Sequence, residues 1–316
     1  MLFCQLGRAH SLRKISGGLR SCEGKLKHPG ITAPGHSTLA YANEHRPWEL
    51  YQRVFLQLLQ RCRSQVTGKK KFRFKNKRVS IDSSIIDLSV ALFDWAKFRR
   101  TKGAIKLHLL LDHDGYLPSF AVITEGRVAD VKFARELRFA PGTIWVDDRA
   151  YNDYELFGRW TAQGVFFVTR LKANALYEVI GERPVPRNRN ILKDELIELR
   201  GTKAQEKCPC PLRLITVYDP ESDKILEFLT NHLSLGATTI AAIYKDRWQI
   251  EIFFKALKQN LKIKTFVGTS ANAVKVQIWT ALIAMLILRY LQLPSRYPWS
   301  LSNLVALLRM NLFTHR

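Results

Sequence analysis

The sequence predicts an α/β protein: a sheet-based core interrupted by a β-rich insertion and preceded by a helical, basic amino-terminal module. Three observations predict it. Two β-branched runs that end in aspartate, RVSIDSSIID and GTIWVDDRAYND, alternate with helical patterns in the first half. Four more strand-like segments, VFFVTR, ALYEVI, LRLITVY and ILEFLT, follow between turn-rich stretches such as ERPVPRNRN and KCPCP. A helix-periodic stretch, IYKDRWQIEIFFKALKQNLK, comes after them.

The elements follow in order. HSLRKISGGLRS reads as a Ser-capped helix followed by a Gly-rich turn. The first 22 residues carry Arg8, Arg13, Lys14 and Arg20 and no acid, which mimics a transit peptide. The capped helix is the reading preferred here. A helix is expected across 47–62, with Pro47 in its first turn. From Val79 come the first strand, then IKLHLLLD and SFAVIT joined through HDGYLP, where Asp114-Gly115 marks a turn. A helix around 130–138, a strand over 143–147 and a helix near 152–163 complete this part. The expected units are therefore a basic module (1–78), a first core part (79–164), a β-rich insertion (165–235) and a carboxy-terminal part (236–316). That last part opens with one helix over 236–262, begun near Thr238-Thr239. The apolar run 277–293 is broken by Arg289, is short for a bilayer span, and reads as a buried core helix.

Within the helix expected over 236–262, Tyr244, Arg247, Glu251 and Lys258 have the spacing Y-(2)-R-(3)-E-(6)-K. At about 100° per residue the four fall within a sector of roughly 60°. Ile243, Ile250, Phe254, Leu257 and Leu261 form an adjacent apolar stripe. A carboxylate between two cations suits a site that holds a metal beside a phosphate backbone; the same spacings also make ordinary intrahelical ion pairs. Trp248 fits either base stacking or the core. Asp82 and Asp147-Asp148 stand at strand ends, where an Asp is either a cap or a ligand. Two such acids with one on a helix form the oxygen-donor set of a two-metal phosphoryl-transfer site.

On these residues the chain resembles the insertion-sequence-four transposases, a branch of the DDE transposases with an RNase H-like catalytic core. The resemblance extends through GHSTLAYANEHRPWELYQRVFLQLLQRC, FRFKNKRVSIDSSIIDLS, FDWAKFRRTKGAIKLHLLLDHDGYLP, VDDRAYNDYELF, QGVFFVTRLK, EFLTNH and NLKIKTFVGTS. It implies that Asp82, Asp148 and Glu251 are catalytic and hold two Mg²⁺ or Mn²⁺ ions. Asp148 is chosen over Asp147 because the family's second acid opens a D-R-x-Y string, met here by Asp148, Arg149 and Tyr151. Arg247 and Lys258 are expected on phosphates, and Tyr244 either donates to a phosphate or braces the helix. The resemblance also implies double-stranded DNA as partner, at terminal inverted repeats and at the target. It further implies cleavage at element ends, in some members through a hairpin, a homodimer on the DNA, and a bacterial cytoplasmic, nucleoid-associated location. Two rival functions stand beside it: a nuclease that uses the same acids without strand transfer, and a transposase-derived DNA-binding protein that would keep the basic module and lose the acids. The family also implies a longer helical segment before MLFCQLGRAHSLRKI and residues beyond NLFTHR, so a shortened, poorly active copy is expected.

Charge agrees with a polyanionic partner. The chain has 50 Lys+Arg against 27 Asp+Glu, a net +23. Residues 1–78 hold 17 of those cations and three acids, hence +14. KKKFRFKNKR (69–78) is either a phosphate-tracking arm, with Lys70 and Lys71 as contacts, or a solvated linker. Five scattered cysteines fit free thiols in a reducing compartment, and Cys208-Pro-Cys210 lacks the spacing of a zinc knuckle.

Overall fold

The computed structural model describes residues 2–27, 30–66, 71–89, 91–99, 102–187, 189–261, 263 and 265–311. Its centre is a mixed sheet of β1 (Arg78–Leu88), β2 (Lys97–Arg99), β3 (Lys102–Asp112), β4 (Leu117–Glu125), β5 (Ile144–Val146), β6 (Phe166–Arg170), β7 (Tyr177–Glu182), β8 (Ile191–Leu199), β9 (Leu212–Asp219) and β10 (Lys224–Thr230). The order is β2-β3-β1-β5-β6-β10-β9-β8-β7, with β4 paired to β3. Strands β1, β5 and β6 run parallel, and a helix (Tyr154–Ala162) crosses between β5 and β6, as parallel neighbours require. The strands expected as an insertion extend this same sheet, because β10 pairs antiparallel with β6.

Alternation along β1 sorts its side chains by face. Val79 and Ile81 join the cluster that contains Phe133, Trp145, Phe157 and Phe167. Ile86 and Leu88 join the opposite cluster, with Ile250, Phe253, Phe254, Leu257 and Trp279. Asp82 has the parity of that second face, which carries the carboxy-terminal helices.

Numbered in chain order, the helices are α1 (Leu2–Gly7), α2 (Leu12–Arg20), α3 (Glu23–Leu26), α4 (His36–His45), α5 (Glu49–Ser64), α6 (Asp130–Glu136), α7 (Tyr154–Ala162), α8 (Thr202–Lys207), α9 (Ala237–Asp246), α10 (Trp248–Asn260), α11 (Ala271–Gln292) and α12 (Leu301–Asn311). Most of α11 is buried: Trp279, Leu282 and Met285 are at most 2 % exposed, and each such side chain contributes about 1.5–3 kcal/mol of transfer energy. It is long and apolar enough to cross a membrane by length and composition, but its apolar surface is spent on the interior. The amino-terminal helices pack on it. Gln5 Nε2 donates to the Gln277 carbonyl at 3.0 Å, Asn272 Nδ2 donates to the carbonyls of Asn43 and Arg46, and Trp48 and Phe55 lie on Trp279.

Three sequence expectations change here. Ser11 caps α2 by accepting from the Lys14 amide at 3.2 Å, but Gly17 and Gly18 lie inside the helix rather than in a turn. A Cβ on Gly18 would stand 2.8 Å from the Phe3 ring, so glycine serves the α1–α2 contact. Strand β8 and helix α8 had no sequence signal; in β8 the buried Asp194 and a register shift break the alternation. Asp194 is tolerated there because Arg213 Nε and Nη2 grip it at 2.7 and 2.6 Å. The single helix expected over 236–262 is two, α9 and α10, meeting at Arg247.

Candidate active site

The junction of α9 and α10 is tightened rather than broken. The Arg247 amide donates to the Tyr244 carbonyl and the Ile250 amide to the Arg247 carbonyl, both across three residues at 3.0 Å. The apolar stripe survives the change: Ile243, Ile250, Phe254, Leu257 and Leu261 are all buried. Glu251 therefore still rides one turn beyond Arg247, beside the face of β1 that carries Asp82.

Asp82 is half-buried, and its Oδ1 accepts from the Ser83 amide at 2.7 Å. Its carboxyl is pushed up to about 7, first by burial; the Ser83 amide and Arg247 oppose the shift, while the charges of Asp148 and Glu251 add to it. Acids from β1, from the end of β5 and from α10 thus share one electrostatic neighbourhood. Arg247 belongs to it too: it is 9 % exposed, and its Nη2 donates to Glu251 Oε1 at 2.7 Å.

Register separates Asp148 from Asp147. In the parallel pair of β1 and β5, Ser80 stands opposite Val146. Two residues on, Asp82 and Asp148 share one face by period two. Asp147 points the other way with Trp145, whose Nε1 donates to Asp147 Oδ2 at 2.6 Å. Asp147 is wholly buried, and burial pushes its carboxyl up to about 7. Asp148 is half-buried, accepts from the Ala150 amide at 2.9 Å, and borders an open hollow of about 480 Å³ lined by Arg149, Lys172 and Asn174.

The remaining expected residues divide. Tyr244 stacks on Phe228 at 4.5 Å between ring centres, and Arg247 Cζ lies 5.4 Å from its own ring centre, so it braces the arginine. Trp248, open to a core reading, is 57 % exposed. Lys258 lies half-buried two turns beyond Glu251 on α10. Lys70 falls outside the described residues. Lys71 Nζ is bound to Asp246 Oδ1 at 2.6 Å. Around it the basic segment alternates. Phe72 and Phe74 turn inward against each other, and Arg78 lies beneath Phe72 at 4.4 Å, whereas Lys71, Arg73, Lys75 and Lys77 are exposed. One row of the segment is packed; in the exposed row Lys71 and Lys77 are paired with Asp246 and Asp112.

Sequence reasoning missed Asp246. Its carboxylate is enclosed by Lys71 Nζ at 2.6 Å, Arg78 Nη1 at 2.7 Å, His113 Nδ1 at 2.7 Å and Tyr116 OH at 3.1 Å. Burial alone would raise its pKa, but the bonds from His113 and Lys71 outweigh it and hold the carboxyl well below the usual range. The donors come from 130 to 175 positions away, so no local pattern could reveal them.

Residues 73–287 match the family described as the transposase DDE domain, a span that includes Asp82, Asp148 and Glu251. The chain belongs to the DDE transposase family. Residues 1–32 of this transposase also match a domain of unknown function, DUF4372. Over 272 residues the transposase is 34 % identical to the transposase-named protein y4zB of Sinorhizobium fredii, covering 83 % of this chain and 73 % of that one. It is 27 % identical to a protein named as the transposase of insertion sequence element IS5377 from Geobacillus stearothermophilus, over 83 % and 68 % of the two chains. It is 25 % identical to one named for element IS4SA from Synechocystis, over 82 % and 72 %. The piggyBac transposase in a synaptic complex with hairpin DNA aligns over 99 % of this chain and 82 % of its own at TM-score 0.45 and 10 % identity, too distant to bear on fold or site.

The donor chemistry suits a hard divalent cation: three carboxylates, one of them raised by burial and further by the charges of the other two, offer oxygen donors to a shared positive charge. Among the described residues, no three His, Cys, Asp or Glu side chains are already gathered to ligate one ion. In this transposase Arg247 engages one of the three, Glu251.

Proposed function

We propose that this transposase cuts DNA at the ends of its insertion sequence and joins them to target DNA, with Asp82, Asp148 and Glu251 as the acids that hold two Mg²⁺ or Mn²⁺ ions. The observation that carries the reading is the shared electrostatic field of the three acids, contributed by two adjacent parallel strands and one helix. When bound, such ions activate a water or DNA 3′-hydroxyl and neutralise the leaving oxygen. The chain's own residues do the rest. Arg247 holds Glu251 and is itself steadied by the ring of Tyr244. Lys258, Arg73 and Lys75 are the cations assigned to DNA phosphates, with Lys70 as a further candidate and Lys71 shared with Asp246.

The wider reading is a member of the insertion-sequence-four branch. Its RNase H-like core would be formed by β1 and β3–β6 within 79–164 and the start of 165–235, with 236–316 supplying the catalytic helix. It would act as a homodimer on double-stranded DNA in the bacterial cytoplasm. The test is a cleavage assay on end DNA with Asp82→Asn, Asp148→Asn and Glu251→Gln. Each should abolish cleavage and leave DNA binding within a few-fold of the parent. Full cleavage by any of the three removes that acid from the site.

A further inference from the structure

Asp246 precedes the Arg247–Glu251 pair directly, and its side chain is fully enclosed at the end of α9. Its donors arrive at the start of β1, the strand of Asp82, and at the adjoining end of β3. Lys71 and Arg78 lead into and open β1. His113 and Tyr116 come from the turn between β3 and β4, next to β1 in the sheet. His113 also spans the gap: its Nδ1 meets Asp246 while its Nε2 meets Ser80 Oγ at 2.5 Å, two residues before Asp82 on the same face of β1. A continuous chain of short polar contacts therefore runs from the strand of Asp82, through Ser80, His113 and Asp246, to the peptide that carries Arg247 and Glu251.

We infer that Asp246 is a positioning residue of the catalytic site: it fixes the α9–α10 junction to β1 and so sets the spacing between Asp82 and Glu251. The inference rests on the acid-site reading above. Asp82 and Glu251 lie 169 positions apart in sequence, and apolar packing of α10 alone leaves the helix free to slide or turn by small amounts. A buried carboxylate with several charged donors has one low-energy arrangement, because any displacement leaves Arg78 or Asp246 desolvated and unpaired. The network also explains why a basic segment leads into β1. Lys71 and Arg78 balance the buried acid, while the outward row remains for solvent or DNA.

Two variants test this. Asp246→Asn removes the charge at constant size. Tyr116→Phe removes only the longest of the four bonds and keeps the ion pairs, so it folds even if the first does not. The first readout is hydrogen exchange in metal-free protein. Asp246→Asn is expected to accelerate exchange over residues 247–256 about tenfold, and Tyr116→Phe by a smaller factor, with β8 and β9 changed less than about twofold. The second is the Mn²⁺ concentration for half-maximal cleavage, expected to rise about tenfold for Asp246→Asn and about two- to threefold for Tyr116→Phe, as for loss of support behind a ligand. Parental exchange over 247–256 in both variants overturns the inference. So does acceleration spread evenly through the sheet, which would make the network a source of overall stability only. Asp82→Asn is the control for the reading underneath. If it still cleaves, the acid site itself is wrong; if it is dead while exchange near α10 is parental in the Asp246 and Tyr116 variants, only the positioning role fails.

Discussion

Replacing Asp147 with asparagine should make the transposase more stable at alkaline pH and leave it able to cut DNA. Asp147 is fully buried, and burial raises its carboxyl from 3.8 to about 7. A raised acid contributes stability that is present below the unfolded value and is lost as pH rises through the folded one. At pH 8.5 the ionised group therefore costs up to about 4 kcal/mol relative to its protonated form, from roughly three pH units at about 1.4 kcal/mol each. Asparagine has nearly the same shape, and its carbonyl can still accept from the Trp145 indole. The difference in urea-unfolding free energy between Asp147→Asn and parent, measured in EDTA, should grow by about 2–3 kcal/mol between pH 5 and pH 8.5, since part of the shift lies below pH 5. Using the difference matters, because Asp82 titrates with the same sign in both proteins and cancels. Cleavage by Asp147→Asn should stay within a few-fold of the parent, whereas Asp148→Asn should be inactive. A flat stability difference would show that Asp147 is not an ionising buried acid. An inactive Asp147→Asn beside an active Asp148→Asn would show that the register argument places the second acid one residue out.

Three further outcomes follow from other parts of the molecule. Burial lowers His108 to about 4, against the pull of Asp130, so the stability it contributes is present above about 6.5 and lost as pH falls towards 4; His108→Gln should remove up to about 3 kcal/mol of that pH dependence in denaturant titrations. A Cβ on Gly158 would stand 2.0 Å from the Lys207 carbonyl oxygen, so Gly158→Ala should force α7 from α8 and cost about 2–4 kcal/mol by thermal or chemical unfolding. Arg73→Ala and Lys75→Ala, on the exposed row, should each reduce the salt dependence of DNA affinity by about one unit of log–log slope; unchanged slopes would make that row a solvated edge.

The sequence by itself determined the local parts. Alternation and β-branching marked β1, β5, β6, β9 and β10, and the helical period marked α5, α7 and the stripe from Ile243 to Leu261. The family motif picked out Asp82, Asp148 and Glu251 because it preserves short-range spacing, which one chain displays without any structure. Tertiary structure alone decided three things. It divided the expected helix at Arg247, where contacts across three residues are set by tertiary packing rather than by helix propensity. It turned Phe72, Phe74 and Arg78 inward, a choice that an alternating run of basic and aromatic residues leaves open until a partner surface exists. It also brought Lys71, Arg78, His113 and Tyr116 around Asp246. A buried charge is tolerable only when distant donors converge on it, and convergence across more than a hundred residues depends on the path of the sheet, which no local pattern encodes.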